Sequence, residues 1–211
     1  MLKKIFIILL VIHGGKLNAQ YPDYKLLTDT ADFRKQFIKT AQETRTIKSD
    51  FIQEKNLSML SEKIVSTGMF WFKKENMVRM EYLKPFQYLM VINKNNVMLK
   101  DGEKTNTISV RSNKLFQQIS SIMLDCVQGA VFSNPDFKIK IFENKTSWMI
   151  EMVPVAKGLN DFFKTINILI DKKNYSVTSI NMIELSGDNT LIIFKNREIN
   201  IEIPDETFAV H

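Results

Sequence analysis

The stretch Ile64-Val65-Ser66-Thr67-Gly68-Met69-Phe70-Trp71-Phe72-Lys73, followed by Lys74-Glu75-Asn76 and Met77-Val78-Arg79-Met80-Glu81-Tyr82-Leu83, reads as two strands joined by a turn. Successive residues of a strand point to opposite faces. Ser66, Gly68, Phe70 and Phe72 therefore share one face, and Val65, Thr67, Met69 and Trp71 share the other. In the second run Val78, Met80 and Tyr82 face one way while Arg79 and Glu81 face the other. A glycine inside a strand lets a neighbouring group approach the backbone closely, which is the expected role of Gly68. Pro85 ends the second strand because it has no N–H to donate. The period of two and the short polar turn predict an antiparallel hairpin.

Further strands are predicted on both sides of this hairpin. Upstream, Phe51 opens an alternating run, and before it Phe33, Phe37 and Ala41 recur at four-residue steps. That spacing predicts a helix over 30–44, with Asp29 or Thr30 to cap it. Downstream, Gln87–Ile92 and Val97–Lys100 are strands around the turn Asn93-Lys94-Asn95-Asn96. A second helix is expected over 114–128, where Leu115, Phe116, Ile119, Ile122, Met123 and Cys126 form one apolar stripe before Gly129. The remainder reads as strands at 137–142, 148–155, 163–170, 177–185, 189–194 and 198–203. Short turns between neighbouring strands imply antiparallel meanders. The expected architecture is α+β: a highly curved antiparallel sheet, an incomplete barrel, with helices covering its concave apolar face.

The N-terminus has the pattern of an export signal: Lys3 and Lys4, an apolar run from Ile5 to Ile12, and Ala19 before Gln20. Residues 1–19 are read as that signal and 20–211 as one domain, free of repeats and linkers. The apolar run is too short to span a bilayer, and no cysteine stands near residue 20 to carry a lipid anchor. Loss of the signal takes three lysines and no acids, so the formal net charge falls from +6 to +3. The basic residues are scattered, with no long block of like charge, which argues against a nucleic-acid partner. Cys126, the single cysteine, sits among Ile122, Met123 and Val127 and is expected to be buried.

Catalytic chemistry finds little support. With His13 in the signal, the mature chain keeps one histidine, His211, which removes histidine-based triads and zinc-protease motifs. No phosphate-cradling glycine loop or calcium loop occurs. The carboxylates Asp50, Glu54, Glu81, Glu151 and Glu184 alternate with apolar residues and are read as a solvated outer face. No catalytic residue, metal ligand or cofactor is therefore assigned. The 15 Phe and 11 Met point instead to broad, pliable apolar walls, of an ordinary core or of a cavity.

Certain residues, in their order and spacing, resemble the outer-membrane lipoprotein carrier protein (LolA) family. They are Phe51-Ile52-Gln53, Ser66-Thr67-Gly68-Met69-Phe70-Trp71-Phe72-Lys73-Lys74, Arg79-Met80-Glu81-Tyr82-Leu83-Lys84-Pro85, Leu191-Ile192-Ile193-Phe194-Lys195-Asn196 and Phe208. The match departs from the family's pattern at Met80, where Trp is usual, at Glu75, where Pro is usual, and at Asn95-Asn96, where Asp-Gly is usual. An arginine of the family's basic pair would fall on Lys74, and lysine lacks arginine's planar fork. The resemblance implies a periplasmic, monomeric carrier whose apolar cavity accepts acyl chains of lipoproteins or of another lipid cargo. It also implies an inner-membrane lipoprotein-releasing transporter as donor and an outer-membrane acceptor.

Strand parity assigns the cavity wall to Phe51, Phe70, Phe72, Val78, Met80, Tyr82, Leu89, Val91, Trp148 and Ile150. The lid is assigned to Phe33, Phe37, Phe116, Ile119 and Met123, with Lys74 as its latch. These side chains are expected to pack together without cargo and to be displaced by it. Three rivals stand beside the carrier reading. They are a lipid-sensing regulator of envelope stress, an enzyme built on carboxylates or an unrecognised metal, and a transmembrane barrel. Charged outward strand faces oppose the last.

Overall fold

The computed structural model describes residues 21–60, 62–74, 76–93, 96–102, 104–109, 121–122 and 124–209, and of 104–109 the backbone alone. Helix α1 (Ala31–Glu43) buries Phe33, Phe37 and Ala41, the stripe that the four-residue spacing predicts. Its first turn is closed by Asp29, whose Oδ1 accepts a bond from the Ala31 N–H at 3.1 Å.

Twelve strands form one sheet among the described residues: β1 (Lys25–Leu26), β2 (Thr46–Asn56), β3 (Lys63–Lys73), β4 (Met77–Lys84), β5 (Tyr88–Asn93), β6 (Asn96–Asp101), β7 (Lys104–Ser109), β8 (Phe137–Glu143), β9 (Ser147–Pro154), β10 (Phe163–Asp171), β11 (Val177–Glu184) and β12 (Asn189–Ile199). Their order is β1-β8-β9-β10-β11-β12-β2-β3-β4-β5-β6-β7, so two meanders join where β12 pairs β2. All pairings are antiparallel, and the sheet is curved but unclosed, with β1 and β7 at its edges. The fold class is thus the one expected. The edge strands β1 and β7 are additions to the expected set; β1 has only two residues, and Lys104-Thr105-Asn106-Thr107 carries no apolar alternation. Residues 189–199 are one strand instead of two runs, with a register shift between Lys195 and Glu198.

The inner face can be followed across the sheet by register. Ile150 pairs Ile168, Ile168 pairs Ile180 and Ile180 pairs Ile192. Phe194 pairs Phe51, Phe51 pairs Gly68, Phe70 pairs Met80 and Val78 pairs Ile92. Two clusters lie on this face. One gathers Ile150, Ile166, Ile168 and Ile170 under Phe33, Phe37, Ile122 and Cys126. The other gathers Phe51, Phe70, Phe72, Val78 and Met80, with Leu124 and Val127 partly buried against it. Each such side chain contributes about 1.5–3 kcal/mol on full burial. Residues 121–122 and 124–128 are helical and end at Gly129, whose φ is 74°. A Cβ there would stand 2.9 Å from that of Ala41, so this glycine lets the two helices touch.

The outer face has its own cover. Met77, Val91, Met98, Ile203 and Phe208 form a third cluster, with Trp71, Leu89 and Ile201 against it. The 3-10 turn Asp205–Phe208 is held there by Asn93, whose Nδ2 donates to the Phe208 carbonyl at 3.0 Å, and by Arg79, which donates to the Thr207 carbonyl at 3.2 Å. Glu151 is another departure: it is buried, not solvated. The Tyr21 hydroxyl donates to its Oε2 at 2.7 Å, and the N-terminal segment thereby covers that part of the outer face.

Candidate functional site

A cavity of about 50 Å³ lies between the helices and the inner face. Helix α1 contributes Phe37, Thr40 and Ala41, Thr44 follows at its C-terminal end, and the second helical segment contributes Cys126 and Val127. The sheet contributes Ile47 and Ser49 from β2, Phe70 from β3, Val177 and Ile180 from β11, and Phe194 and Arg197 from β12. Tyr175 and Ser176, from the turn before β11, complete it. The position is a seam: Phe37, Cys126 and Ile180 belong to one inner cluster, Ile47 and Phe70 to the other, and Phe194 packs against both.

Of the residues assigned to the wall, eight share the inner face: Phe51, Phe70, Phe72, Val78, Met80, Tyr82, Trp148 and Ile150. Phe70 lines the cavity itself. Phe51, Phe72, Val78, Met80 and Ile150 are fully packed beside it. Trp148 lies farther along, its ring 4.7 Å from that of Tyr175 and 4.7 Å from that of Phe33. Leu89 and Val91 are on the opposite face, because Leu89 pairs Glu81 and Val91 pairs Arg79. Met90 and Ile92 take the inner positions. Of the lid residues, Phe33 and Phe37 are under α1, while Phe116, Ile119 and Met123 lie outside the described residues.

Lys74 meets α1 directly. Its Nζ donates to the Gln42 carbonyl in the last turn of α1. The neighbouring Glu43 carbonyl accepts from Asn200 Nδ2 at 3.2 Å. Both bonds satisfy carbonyls that a helix end leaves without intrahelical partners, and the ammonium also complements the helix dipole. Tyr82 ties the motif pieces together. Its hydroxyl donates to Gln53 Oε1 at 2.9 Å, and its ring meets that of Phe51 edge-on at 4.9 Å. Burial pushes the pKa of the Tyr82 hydroxyl up to about 12. The Phe51 ring lies over Gly68, where a Cβ would come within 2.7 Å of it.

Sequence reasoning missed the polar part of the cavity. Ser49 is 1 % exposed, and its Oγ has no hydrogen-bond partner among the described residues. Arg197 is brought to the inner face by the irregularity in β12. Lys195 pairs Asp50 and Glu198 pairs Lys48, so Asn196 and Arg197 together oppose Ser49. Asn196 takes a left-handed φ of 51°, and its Nδ2 donates to Asp50 Oδ2 at 2.7 Å. The extra residue is a β-bulge, which re-aims a side chain. Burial lowers the Arg197 guanidinium below its ordinary pKa, and the Asp171 charge acts in the opposite sense. Cys126 also lines the cavity, and burial drives its thiol pKa far up, which makes it a poor nucleophile.

Among the described residues no cluster of His, Cys, Asp or Glu could hold a metal ion, and no helix is long and apolar enough to cross a membrane. An unclosed antiparallel sheet, with helices over an apolar inner face and a cavity at their seam, is the α+β architecture these elements build. The chain belongs to the outer membrane lipoprotein carrier protein LolA family, whose model matches residues 42–211.

Two solved structures are similar in fold at TM-scores of 0.50 and 0.51. An uncharacterized conserved protein from Thermus thermophilus is similar with a TM-score of 0.51 and 9% identity, over 85% of this chain and 93% of that one. MucB is similar with a TM-score of 0.50 and 12% identity, over 88% of this chain and 64% of that one. A LolA superfamily protein from Nitrosomonas europaea matches with a TM-score of 0.47 and 10% identity, over 84% and 97%. A search of curated proteins finds no match to the chain.

Proposed function

We propose that this chain is a periplasmic carrier, exported by the signal at residues 1–19, that holds acyl chains between α1, the second helix and the inner face of the sheet. In this reading it takes acylated lipoprotein or a related lipid from an inner-membrane transporter and delivers it to an outer-membrane acceptor. The observation that supports it most is the seam cavity, walled by Phe37, Phe70, Phe194, Val127 and Ile180. Its volume of about 50 Å³ is well below the roughly 300–1,000 Å³ of ordinary ligand pockets. Loading therefore requires the helices to move off the sheet, a two-state change driven by differential affinity for cargo. Lys74 and Asn200 hold the end of α1 and set the resistance to that movement.

The physical need is clear from magnitudes. Exposing about fifteen methylenes to water costs roughly 12 kcal/mol at ~0.8 kcal/mol each, so unaided crossing of an aqueous space is negligible. A carrier must also release its cargo, and Met and Phe walls suit repeated repacking.

The test uses half-buried positions that tolerate change better than the packed core. Val127→Glu and Val177→Glu should each weaken binding of a fluorescent acyl probe by about tenfold or more, by the cost of burying a charge against apolar chain. Circular dichroism checks that both variants remain folded. Probe binding unchanged in both would place the acyl site elsewhere.

A further inference from the structure

The cavity holds two polar groups that a purely apolar acyl chain would leave without partners. Ser49 Oγ is buried and unbonded, and Arg197, beside it in the lining, makes no hydrogen bond or close ion pair among the described residues. A buried hydroxyl without a partner is destabilising, and a partly desolvated guanidinium more so. Ser49 and Arg197 differ from the other orphaned groups among the described residues in lining the cavity, where a ligand oxygen could reach both. The bulge at Asn196 is what directs Arg197 inward, while Lys48 and Glu198, on either side of the same register, pair with each other at 3.6 Å on the outer face. Arg197, directed inward, is left without such a pair among the described residues. Asp171, whose charge bears on Arg197, has its own Oδ1 engaged by the Lys173 N–H at 2.6 Å.

We propose that the cavity takes an amphiphile with an anionic oxygen head, a carboxylate or phosphate, set on the Arg197 guanidinium and the Ser49 hydroxyl, with its chain running under α1. The proposal rests on the carrier reading and narrows its cargo. The planar fork of arginine bonds two oxygens of such a head at once. The hydroxyl supplies a further donor, and Thr40, Thr44 and Ser176 make the surrounding rim polar enough to tolerate a head group. A neutral ester or alcohol of equal chain length gains the same apolar contact but lacks the charge-assisted bonds.

The test compares palmitate, hexadecyl phosphate, hexadecanol and inorganic phosphate by calorimetry or probe displacement. It uses the mature protein and its Arg197→Gln, Arg197→Lys and Ser49→Ala variants. The wild type is expected to bind the two anionic amphiphiles at least tenfold more tightly than hexadecanol, and inorganic phosphate far more weakly than hexadecyl phosphate. Arg197→Gln should abolish that preference, bringing the affinity for the two anionic amphiphiles down to that for hexadecanol. Arg197→Lys should keep part of the preference, and Ser49→Ala should lower affinity for the anionic pair several-fold. Equal binding of hexadecanol and palmitate by the wild type, or a preference unchanged in Arg197→Gln, would overturn the head-group assignment and leave the carrier intact. Inorganic phosphate binding as tightly as hexadecyl phosphate would make this a plain anion site and overturn the proposal. No binding of any amphiphile would overturn the carrier reading with it.

Discussion

Gly68 is the residue on which the separated motif pieces converge. A Cβ there would lie 2.1 Å from the Glu81 carbonyl oxygen and 2.7 Å from Phe51 Cζ, and the first is backbone that cannot swing away. Gly68→Ala is therefore expected to cost about 2 kcal/mol or more, read as a lower urea midpoint. An unchanged midpoint would mean that the Phe51 ring does not occupy that space. Tyr82, bonded to Gln53 above the same glycine, carries a pH signature. Its folded value of about 12 lies above the ordinary 10, so the folded state keeps a proton that the unfolded chain releases. Stability from this group is whole below about pH 10 and falls as pH rises towards 12, by at most roughly 2.7 kcal/mol. Tyr82→Phe should flatten part of that loss in urea midpoints taken near pH 8 and pH 11.5. Tyr21, Tyr88 and Cys126, raised in the same way by burial, will retain the rest. The sequence made Gly68 legible as a point of close approach, because glycine in an alternating run has few other reasons to be there. It did not show Glu151 to be buried, because a carboxylate in an alternating strand reads as solvated until Tyr21 covers it.

At the scale of elements, period and punctuation carried α1, the β3–β4 hairpin and most strands. They failed on β5 for a physical reason. Leu89 and Val91 face outward and Met90 and Ile92 inward, so both faces are apolar and alternation gives no sign of direction. The outer face is apolar because the Asp205–Phe208 turn covers it, a long-range contact that no local pattern reports. Phe208 is fully buried there, and Phe208→Ala should cost about 3–5 kcal/mol in thermal or urea unfolding. A loss below about 1 kcal/mol would mean that the C-terminal turn is not part of the folded core. The bulge in β12 was legible as a break near Lys195-Asn196-Arg197, but not as a device that turns one side chain inward. Lys74 was named as a latch by resemblance; its Nζ bonds the Gln42 carbonyl, and we propose that this bond is the latch. Lys74→Met should speed amide exchange in the last turn of α1 several-fold, while Lys74→Arg should not. Equal exchange in Lys74→Met and the wild type would remove the latch from the account.

For the whole molecule, the sheet divides its apolar surface by purpose. The inner face is packed except at the seam, and nine of the eleven exposed large apolar side chains among the described residues lie at or near hairpin ends on one rim. Met59, Phe86, Phe162 and Leu185 are among them, beside turns that strand polarity places at the same end of the sheet. In a carrier this rim suits contact with a lipid layer, and Met59→Ser with Phe86→Ser should lower co-sedimentation with phospholipid vesicles several-fold. Sedimentation equal to the wild type's would assign the rim no such contact. The central claim is that the mature protein carries a lipid. The measurement that tests it most directly is native mass spectrometry of the protein purified gently from the cells that produce it, with organic extraction of what it holds. The account predicts an adduct with the mass of an acylated lipoprotein or lipid, lost from Val127→Glu. A bare protein mass, with no acylated ligand able to bind on addition, would contradict it.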